Sequence, residues 1–298
     1  MQGRAAGILV VGLLVGLAFA GCDEGRLTCY FDDEEPSTTP VAVGAKFDAA
    51  TAGAIAGRVT WAGARPSVPP YSAPVSPLSE LPPGPRLDWP NPHAPKIDPA
   101  NRGIAGAVVF LRRVDAARAR PWDHAPVRIV VQDCQYHIFQ DACDAATGFV
   151  HTGDAVVVVS EEDRFHAVQA RGAAFFTLTL PDRGRPHARV LPHSGIVELS
   201  SNAGQFWMRG HLFVSDHPYF CRTAADGRFA LEQVPPDSYE LACWLPDWHE
   251  ASHERDGETT FISRLTFRPA VVKLRDITIG PGERKTTDFT YGPGDFPP

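Results

Sequence analysis

The chain has 298 residues and a formal net charge of −7, with 28 Lys and Arg against 35 Asp and Glu. This charge balance excludes nucleic acid as a partner, because such binding draws on clustered basic side chains. The length leaves room for one or two domains with cores of their own. Short runs of Val, Phe, Leu, Thr and Tyr bounded by Gly, Pro and Asp predominate over helical periodicity, and they predict an all-β protein.

The N-terminus is predicted to be an export signal. A basic start precedes an apolar run at residues 5–20, which is too short for a comfortable membrane span. The run ends in Leu17-Ala-Phe-Ala-Gly-Cys22, which resembles a bacterial lipobox with Phe19 in place of the usual Leu. The resemblance implies that residues 1–21 are removed and that Cys22 is diacylated, so that a lipid anchors the chain to a membrane. The alternative is an ordinary cleaved signal in which Cys22 has no role.

Export changes how the remaining cysteines are interpreted, because disulfides are the default expectation in an oxidising compartment. If Cys22 is acylated, an odd number of cysteines remains. We predict the short-range disulfides Cys134–Cys143 and Cys221–Cys243, which leave Cys29 unpaired.

Between the signal and the C-terminus, strand-like runs recur about every ten residues with turn signals between them, which is typical of a β-sandwich or a closed β-sheet. Residues 22–51 are acidic and then rich in Ser, Thr and Pro, and this composition predicts a flexible tether. The proline density at 67–101 predicts a long surface loop without strands, or less simply a proline-rich ligand for another module. The pair Asp226-Gly227 predicts a hairpin.

Two separated parts of the chain resemble a carboxypeptidase regulatory-like (transthyretin-like) β-sandwich. The resemblance rests on Gly57-Arg-Val-Thr-Trp-Ala-Gly, on Gly106-Ala-Val-Val-Phe-Leu, and on Thr223-x-x-Asp-Gly-Arg-Phe followed by Val-Pro-Pro-x-x-Tyr239. Asp237 stands where the family usually has Gly, and Asp tolerates left-handed turns better than most residues. The resemblance implies one sandwich whose strands are separated by about a hundred intervening residues.

The intervening portion resembles a cupredoxin. In order, it contains Cys134-Gln-Tyr-His137, Gly153-Asp-x-Val, Glu162-Asp-Arg-Phe-His166-Ala-Val and Trp207-Met-Arg-Gly. Together with the sandwich, these parts resemble exported bacterial plastocyanin-like proteins of the methylamine-utilisation type. The resemblance implies that His166 is in the position of the first copper ligand. In these proteins, the segment before the Trp normally reads Cys-x-x-His-x-x-Met and supplies the other ligands.

In this sequence, the Cys, His and Met positions of that segment are occupied by Asn202, Gln205 and Met208. A blue-copper site needs a thiolate, two imidazoles and a long axial Met, and Asn202 and Gln205 supply neither of the missing ligands. The resemblance therefore implies a degenerate cupredoxin without type 1 copper, and no cofactor is expected. The alternative is a different copper site at His166 and Met208.

Such a non-standard site could hold Cu(I) weakly through His166 and Met208 alone. It could also recruit one of three further histidines, which are His137, His151 and His211. Other candidates are the aromatic segment at 217–220, and a loop whose aromatic and imidazole side chains could form a sugar-binding surface, a metal site or a cap over the sandwich. These side chains are Trp244, Trp248, His249 and His253. No arrangement of catalytic residues indicates an enzyme class.

The combined prediction is an all-β chain in which a cupredoxin-like sandwich is inserted in a regulatory-like sandwich. Its segments are a signal peptide at 1–21, a tether at 22–51, first strands at 52–124, the cupredoxin-like domain at 125–216, the remaining strands at 217–292 and a tail at 293–298. The expected function is that of a non-catalytic exported lipoprotein, bound to the membrane through its lipid, that binds an envelope protein or a polysaccharide. The alternative is a copper-binding or electron-transfer protein.

Overall fold

A computed structural model describes residues 46–75 and 84–297 of the chain. The predicted signal peptide, Cys22, Cys29 and most of the tether lie outside these residues. The all-β prediction is confirmed, since the described residues form strands and two short 3₁₀ turns, Ala116–Arg118 and Pro293–Asp295. None of the described residues belongs to a helix long and apolar enough to span a bilayer.

The strands are short, and most are bounded by the Gly, Pro and Asp signals of the sequence. They are β1 (Gly53–Trp61), β2 (Tyr71–Pro74), β3 (Arg86–Trp89), β4 (Lys96–Ile97), β5 (Ile104–Ala105), β6 (Val108–Arg112), β7 (Arg128–Gln132), β8 (Gln135–Gln140), β9 (Cys143–Ala145), β10 (Thr147–His151), β11 (Ala155–Ser160), β12 (His166–Gly172), β13 (Phe176–Leu180), β14 (His187–Val190), β15 (Gly195–Ser201), β16 (Arg209–Ser215), β17 (Phe220–Arg222), β18 (Arg228–Val234), β19 (Asp237–Leu245), β20 (Glu250–Arg255), β21 (Ile262–Phe267), β22 (Val271–Ile279), β23 (Arg284–Thr286) and β24 (Phe289–Tyr291).

Strands β7 to β16 form what we call the central sandwich. One sheet has the order β10-β16-β15-β12-β13 and the other β14-β11-β7-β8-β9. Inward-facing aliphatic side chains alternate with polar ones along these strands and fill a common core. The core includes Ile129, Ile138, Val158, Leu178, Leu180, Leu191, Leu199 and Leu212, all nearly inaccessible to solvent.

The strands before and after the central sandwich form a second one, the flanking sandwich. Its sheets are β18-β1 with β23 and β24, and β17-β6-β19-β22. Asp226 and Gly227 form the predicted turn, in which Gly227 has φ +85° and a Cβ would collide with the carbonyl oxygen of Val59. The predicted hairpin is wrong, however, because β17 pairs with β6 whereas β18 pairs with β1. The turn thus carries the chain from one sheet to the other.

The two sandwiches pack face to face along what we call the seam. Its apolar part consists of Val108, Phe110, Phe149, Phe213, Phe220, Ala242 and Trp244. The rings of Phe110 and Phe220 stack with centroids 5.1 Å apart, and Phe213 meets Trp244 edge-on at 5.2 Å. Such pairs each contribute about 0.5–1.5 kcal/mol beyond the burial of their surface.

The proline-rich segment at 67–101 contains strands β2, β3 and β4, so the prediction of a loop without strands is wrong for its described residues. Strands β2 and β3 pair with each other, and Nε1 of Trp89 donates to the carbonyl oxygen of Ala73 at 3.0 Å. The prolines do not prevent this pairing, because Pro74 ends β2 and Pro90 follows β3. This hairpin and the β20–β21 hairpin both pack against the central core.

The two predicted disulfides are wrong, since Cys134, Cys143, Cys221 and Cys243 are all free. Cys221 and Cys243 lie opposite Val109 on the two strands that flank β6. Two strand spacings separate them by about 10 Å, and a disulfide needs Cα atoms closer than about 7 Å. Cys134 and Cys143 lie at opposite ends of β8, about 20 Å apart along the strand.

Candidate functional site

The loop at 202–208 joins β15 to β16 at one end of the central sandwich. Asn202 continues the β12–β15 pairing, because its backbone N–H donates to the carbonyl oxygen of Ala167 at 2.8 Å. Its side chain is exposed to solvent. The position that the resemblance assigns to a thiolate therefore carries a carboxamide that faces water.

Gln205 is buried, at 1% exposure, and its carboxamide is engaged within the protein. The hydroxyl of Ser201 donates to Oε1 of Gln205 at 2.8 Å, and Nε2 of Gln205 approaches the carbonyl oxygen of Val75 at 3.5 Å. Gln205 thus fixes the turn of the loop and links it to the end of strand β2. Gln205 stands where the resemblance places an imidazole ligand, and its hydrogen bonds have only a structural role.

The remaining side chains of the loop are held by aromatic packing. Phe206, Trp207 and Met208 are all at most 3% exposed. The β2–β3 hairpin covers them, because Tyr71 meets Phe206 edge-on at 5.3 Å and Trp89 stacks on Trp207 at 4.4 Å with 8° between the ring planes. Met208 is therefore a core side chain in a loop that is closed by the hairpin.

His166 begins β12 and is 1% exposed. Its Nε2 lies 2.8 Å from Oε2 of Glu162, and the other oxygen of Glu162 accepts the backbone N–H of Cys134 at 2.7 Å. Asp133 and Cys134 both have positive φ and form the two-residue turn between β7 and β8. The carboxylate of Glu162 therefore ties this turn to His166.

The electrostatics of this network favour an ionised Glu162 and an inert thiol. Burial acts to raise the pKa of Glu162, but the backbone N–H of Cys134 and the imidazole of His166 outweigh it, and the net pKa lies below the usual range. Burial and then the Glu162 charge raise the pKa of Cys134 to about 12. The Cys134 thiol is therefore protonated near neutral pH and is a poor metal ligand.

The residues present do not fit a type 1 copper site. Asn202 faces solvent, Gln205 is hydrogen-bonded within the loop, and neither is a thiolate or an imidazole. Only His166 and Met208 remain of the ligand set, at the same end of the sheet. Nδ1 of His166 is buried without a hydrogen-bond partner. Within the described ranges, no group of three or more His, Cys, Asp or Glu side chains is arranged to hold a metal ion.

The three additional histidines do not assemble around His166. His211 lies opposite Glu198, which lies opposite Arg171, so it is five residues from His166 along β12, or about 17 Å. His151 contacts Trp122. His137 lies 2.8 Å from a carboxylate oxygen of its neighbour Asp144.

The loop that carries Trp244, Trp248, His249 and His253 does not offer an open aromatic surface. Trp244 and Trp248 are at most 8% exposed, and Trp248 packs against Trp61 and Phe296 in the core of the flanking sandwich. His249 pairs with Asp247, and His253 pairs with Glu250 on strand β20. In the segment at 217–220, the ring of His217 stacks on Phe220 at 5.3 Å.

An open cleft of ≈ 640 Å³ lies beside the Glu162 network, and sequence reasoning missed it. Its lining is strongly polar and includes Trp89, Asp133, Cys134, Glu161, Glu162, Asp163, Arg164 and Arg183. The run of four charged residues at 161–164 is the one local signal of this surface. The rest of the lining comes from distant strands and could not be assembled from the sequence.

No known protein family matches the sequence, and no curated protein does. Several solved structures that match part of the chain are cupredoxins. A purple cupredoxin from Nitrosopumilus maritimus is 15% identical, with a TM-score of 0.24 over 30% of this chain and 98% of that one. A reduced Cu(I) form of an amicyanin variant is 17% identical, with a TM-score of 0.25 over 36% of this chain and 97% of that one.

A copper-containing nitrite reductase from Thermus scotoductus SA-01 is 16% identical, with a TM-score of 0.26 over 35% of this chain and 25% of that one. At such identities and TM-scores, the likeness concerns the fold at most. Nothing about copper, catalysis or partners of this chain follows from it.

Proposed function

We propose that the chain is a non-catalytic exported lipoprotein whose degenerate cupredoxin-like domain serves as a binding module at the cell envelope. The observation that carries this proposal is the combination of a 202–208 loop closed by aromatic packing with an open polar cleft beside it. The loop has no thiolate, and the Nε2 of His166 is engaged by Glu162. The cleft is instead accessible to a partner from solution.

The chemistry of the cleft suits a polar partner, namely an envelope polysaccharide or a segment of an envelope protein. Its volume lies in the range of ligand sites, about 300–1,000 Å³. The carboxylates of Asp133, Glu161 and Asp163 and the guanidinium of Arg183 line the cleft, and Trp89 supplies an apolar surface. Hydroxyl-rich or charged groups could pair with these side chains while a ring or aliphatic stretch packs on the indole.

Charge reversal at the edge of the cleft is expected to weaken binding. We expect Arg183→Glu to reduce cosedimentation of the full chain with purified peptidoglycan about tenfold, or about 1.4 kcal/mol. Arg185→Glu is the matched control, because Arg183–Asp163 and Arg185–Asp182 are both exposed ion pairs at 3.3 Å and Arg185 lies outside the cleft lining. Equal binding by the two variants contradicts the cleft as the binding surface, and no sedimentation of the wild type contradicts a peptidoglycan partner.

The membrane attachment is proposed to occur through a lipid on Cys22. Since the mature chain would begin at this residue, the protein purified from bacterial membranes with detergent is expected to have an intact mass that includes acyl chains on an N-terminal Cys22. Cys22→Ala should move the protein from the membrane fraction to the soluble exported fraction. A mass that corresponds to cleavage without acylation contradicts the anchor.

A second candidate function, copper handling at His166 and Met208, is favoured by the unpartnered and buried Nδ1 of His166. If the chain is instead the binding module proposed above, Cu(II) added to the purified protein produces no intense visible absorption of a copper–thiolate bond. Metal analysis after gel filtration then finds the same copper content in the wild type and in His166→Ala. Stoichiometric copper that is lost in His166→Ala but kept in His193→Ala, a change at an exposed position, supports copper handling instead.

A further inference from the structure

A small cavity lies in the polar part of the seam, and its lining contains two buried imidazoles. His93 follows β3 in the proline-rich segment, and His211 lies on β16 of the central sandwich. They are 7% and 8% exposed, and their ring centroids lie 5.3 Å apart. Exposed Lys96 and Gly106 also line the cavity, whose volume is ≈ 60 Å³. A small solute can therefore reach it from solution.

The charged side chains that line the cavity are both basic. They are Lys96 and Arg209, and no carboxylate of the described residues joins them. One terminal nitrogen of Arg209 pairs with Glu198 at 3.1 Å, and the other donates to the carbonyl oxygen of Leu265. Nε of Arg209 is buried without a hydrogen-bond partner, in a side chain that is 7% exposed. A buried donor of this kind calls for an acceptor, and the basic lining favours one with negative charge.

The tautomer of His93 decides which anions can bind. Nδ1 lies 2.9 Å from the carbonyl oxygen of Asp247, which can only accept, so Nδ1 donates its proton. Asn91 fixes this arrangement, because its Oδ1 accepts the backbone N–H of His93 and its Nδ2 donates to the carbonyl oxygen of Trp248. Nε2 of His93 then carries a lone pair and is buried without a partner. A ligand must present a hydroxyl to this lone pair, since a bare anionic oxygen would be repelled by it.

The size of the cavity limits the ligand to a few atoms. One water molecule needs roughly 10–15 Å³, so ≈ 60 Å³ holds about four groups of that size. Bicarbonate, a planar oxyanion with four non-hydrogen atoms, meets this limit. It also combines a charged oxygen, which suits Lys96 and Arg209, with a hydroxyl, which suits His93. The ring of His211 packs edge-on against Trp244 at 4.8 Å and, when neutral, offers one donor and one acceptor nitrogen, so it can meet either kind of oxygen.

We propose that this cavity binds a small oxyanion that carries a hydroxyl, with bicarbonate as the species of fitting size. The charged oxygen accepts from Nε of Arg209 near the ammonium of Lys96, while the hydroxyl donates to Nε2 of His93. Two buried polar atoms that lack a partner in the free protein thus gain one in the complex. The ligand joins the proline-rich segment to β16 across the seam. This site is separate from the polar cleft beside Glu162, and neither requires the other.

Nitrate is the matched ligand for a test, because it shares the charge, the planar shape and the number of non-hydrogen atoms of bicarbonate but has no hydroxyl. In the isotope-labelled full chain at about pH 8, where ordinary imidazoles are neutral, bicarbonate is expected to shift the side-chain NMR resonances of His93, His211 and Nε of Arg209. A ligand of this size binds at best with a dissociation constant of about 0.04 mM, so the titration extends to about 20 mM at constant ionic strength.

Nitrate should bind about tenfold more weakly or worse, because it leaves Nε2 of His93 unpaired. This comparison uses the unaltered protein, so it remains decisive if a variant folds poorly. Absence of shifts at these three side chains, or equal binding of the two anions, overturns the proposal.

Single substitutions supply the second arm of the test. His93→Phe keeps a ring but removes Nε2, and it is expected to abolish the preference for bicarbonate over nitrate. Lys96→Gln should weaken both anions about fivefold, because it removes a positive charge and leaves the hydroxyl acceptor in place. Lys46→Gln, at another exposed lysine, is the control and should leave both affinities unchanged. A preference that survives in His93→Phe, or equal losses in the two lysine variants, overturns the site.

Discussion

Acidification from about pH 7 to about pH 4.5 is expected to remove most of the folding free energy of the metal-free protein. Burial lowers the pKa of His93 and His211 to about 3 and that of His217 to about 4, whereas the unfolded chain binds these protons near pH 6.5. Their contribution is therefore complete above about pH 6.5 and is lost as the pH falls, by about 1.4 kcal/mol per pH unit for each histidine. A whole domain is stable by only about 5–15 kcal/mol.

Urea unfolding of chelator-treated protein at successive pH values measures this loss. The charges that face the His93–His211 pair are those of Arg209 and Glu198, with exposed Lys96 at the cavity edge. His211→Gln should reduce the dependence of stability on pH by about one histidine's share, about 1.4 kcal/mol per pH unit. His193→Gln, at an exposed position, should leave that dependence unchanged.

A stability that stays constant between about pH 6.5 and pH 5 contradicts the buried neutral imidazoles. The Glu162 carboxylate does not obscure this window. The pKa of Glu162 is lowered in the folded protein, so its contribution is present above the unfolded pKa near 4.5 and disappears only as the pH falls through the folded value. Losses above pH 5 therefore report on histidine.

The sequence carries enough local information to predict the class of fold and many of the strands. The continuous apolar runs of β6 and β19 and the Asp226-Gly227 turn are local signals, and the structure contains each of them. What local signals could not supply is pairing partners. Such a turn predicts a hairpin because two adjacent strands usually pair, whereas here they belong to opposite sheets. The same limitation explains the wrong disulfides, because β6 lies between Cys221 and Cys243, and the length of β8 separates Cys134 from Cys143.

The candidate sites depended on contacts between distant segments. Asn202 and Gln205 could be recognised as unsuitable ligands because side-chain chemistry is visible in the sequence. The closure of their loop by Trp89 could not be predicted, because Trp89 lies in a segment whose proline content predicts a loop without strands. The proximity of His93 and His211, 118 positions apart in the chain, likewise arises only when the sandwiches pack together. No spacing rule connects such a pair.

Trp207→Ala is expected to be among the most destabilising single substitutions in the central sandwich, at about 3–5 kcal/mol. The indole is 3% exposed, stacks on Trp89 at 4.4 Å and donates Nε1–H to the carbonyl oxygen of Cys134 at 3.0 Å. Truncation therefore leaves a cavity, an unpaired carbonyl and an unstacked hairpin. Urea unfolding followed by tryptophan fluorescence and far-UV circular dichroism measures the change.

A double-mutant cycle shows whether the β2–β3 hairpin holds the 202–208 loop. We expect Trp89→Ala and Trp207→Ala to couple by about 0.5–1.5 kcal/mol, as stacked rings do. Phe175→Ala, at a side chain that is 76% exposed, is the control and should change stability by less than about 0.5 kcal/mol. In a copper protein, ligand bonds would help to fix this loop, and added copper would offset the loss. Here the aromatic contacts and the hydrogen bonds of Gln205 hold the loop instead. A coupling energy near zero would mean that the loop keeps its shape without the hairpin.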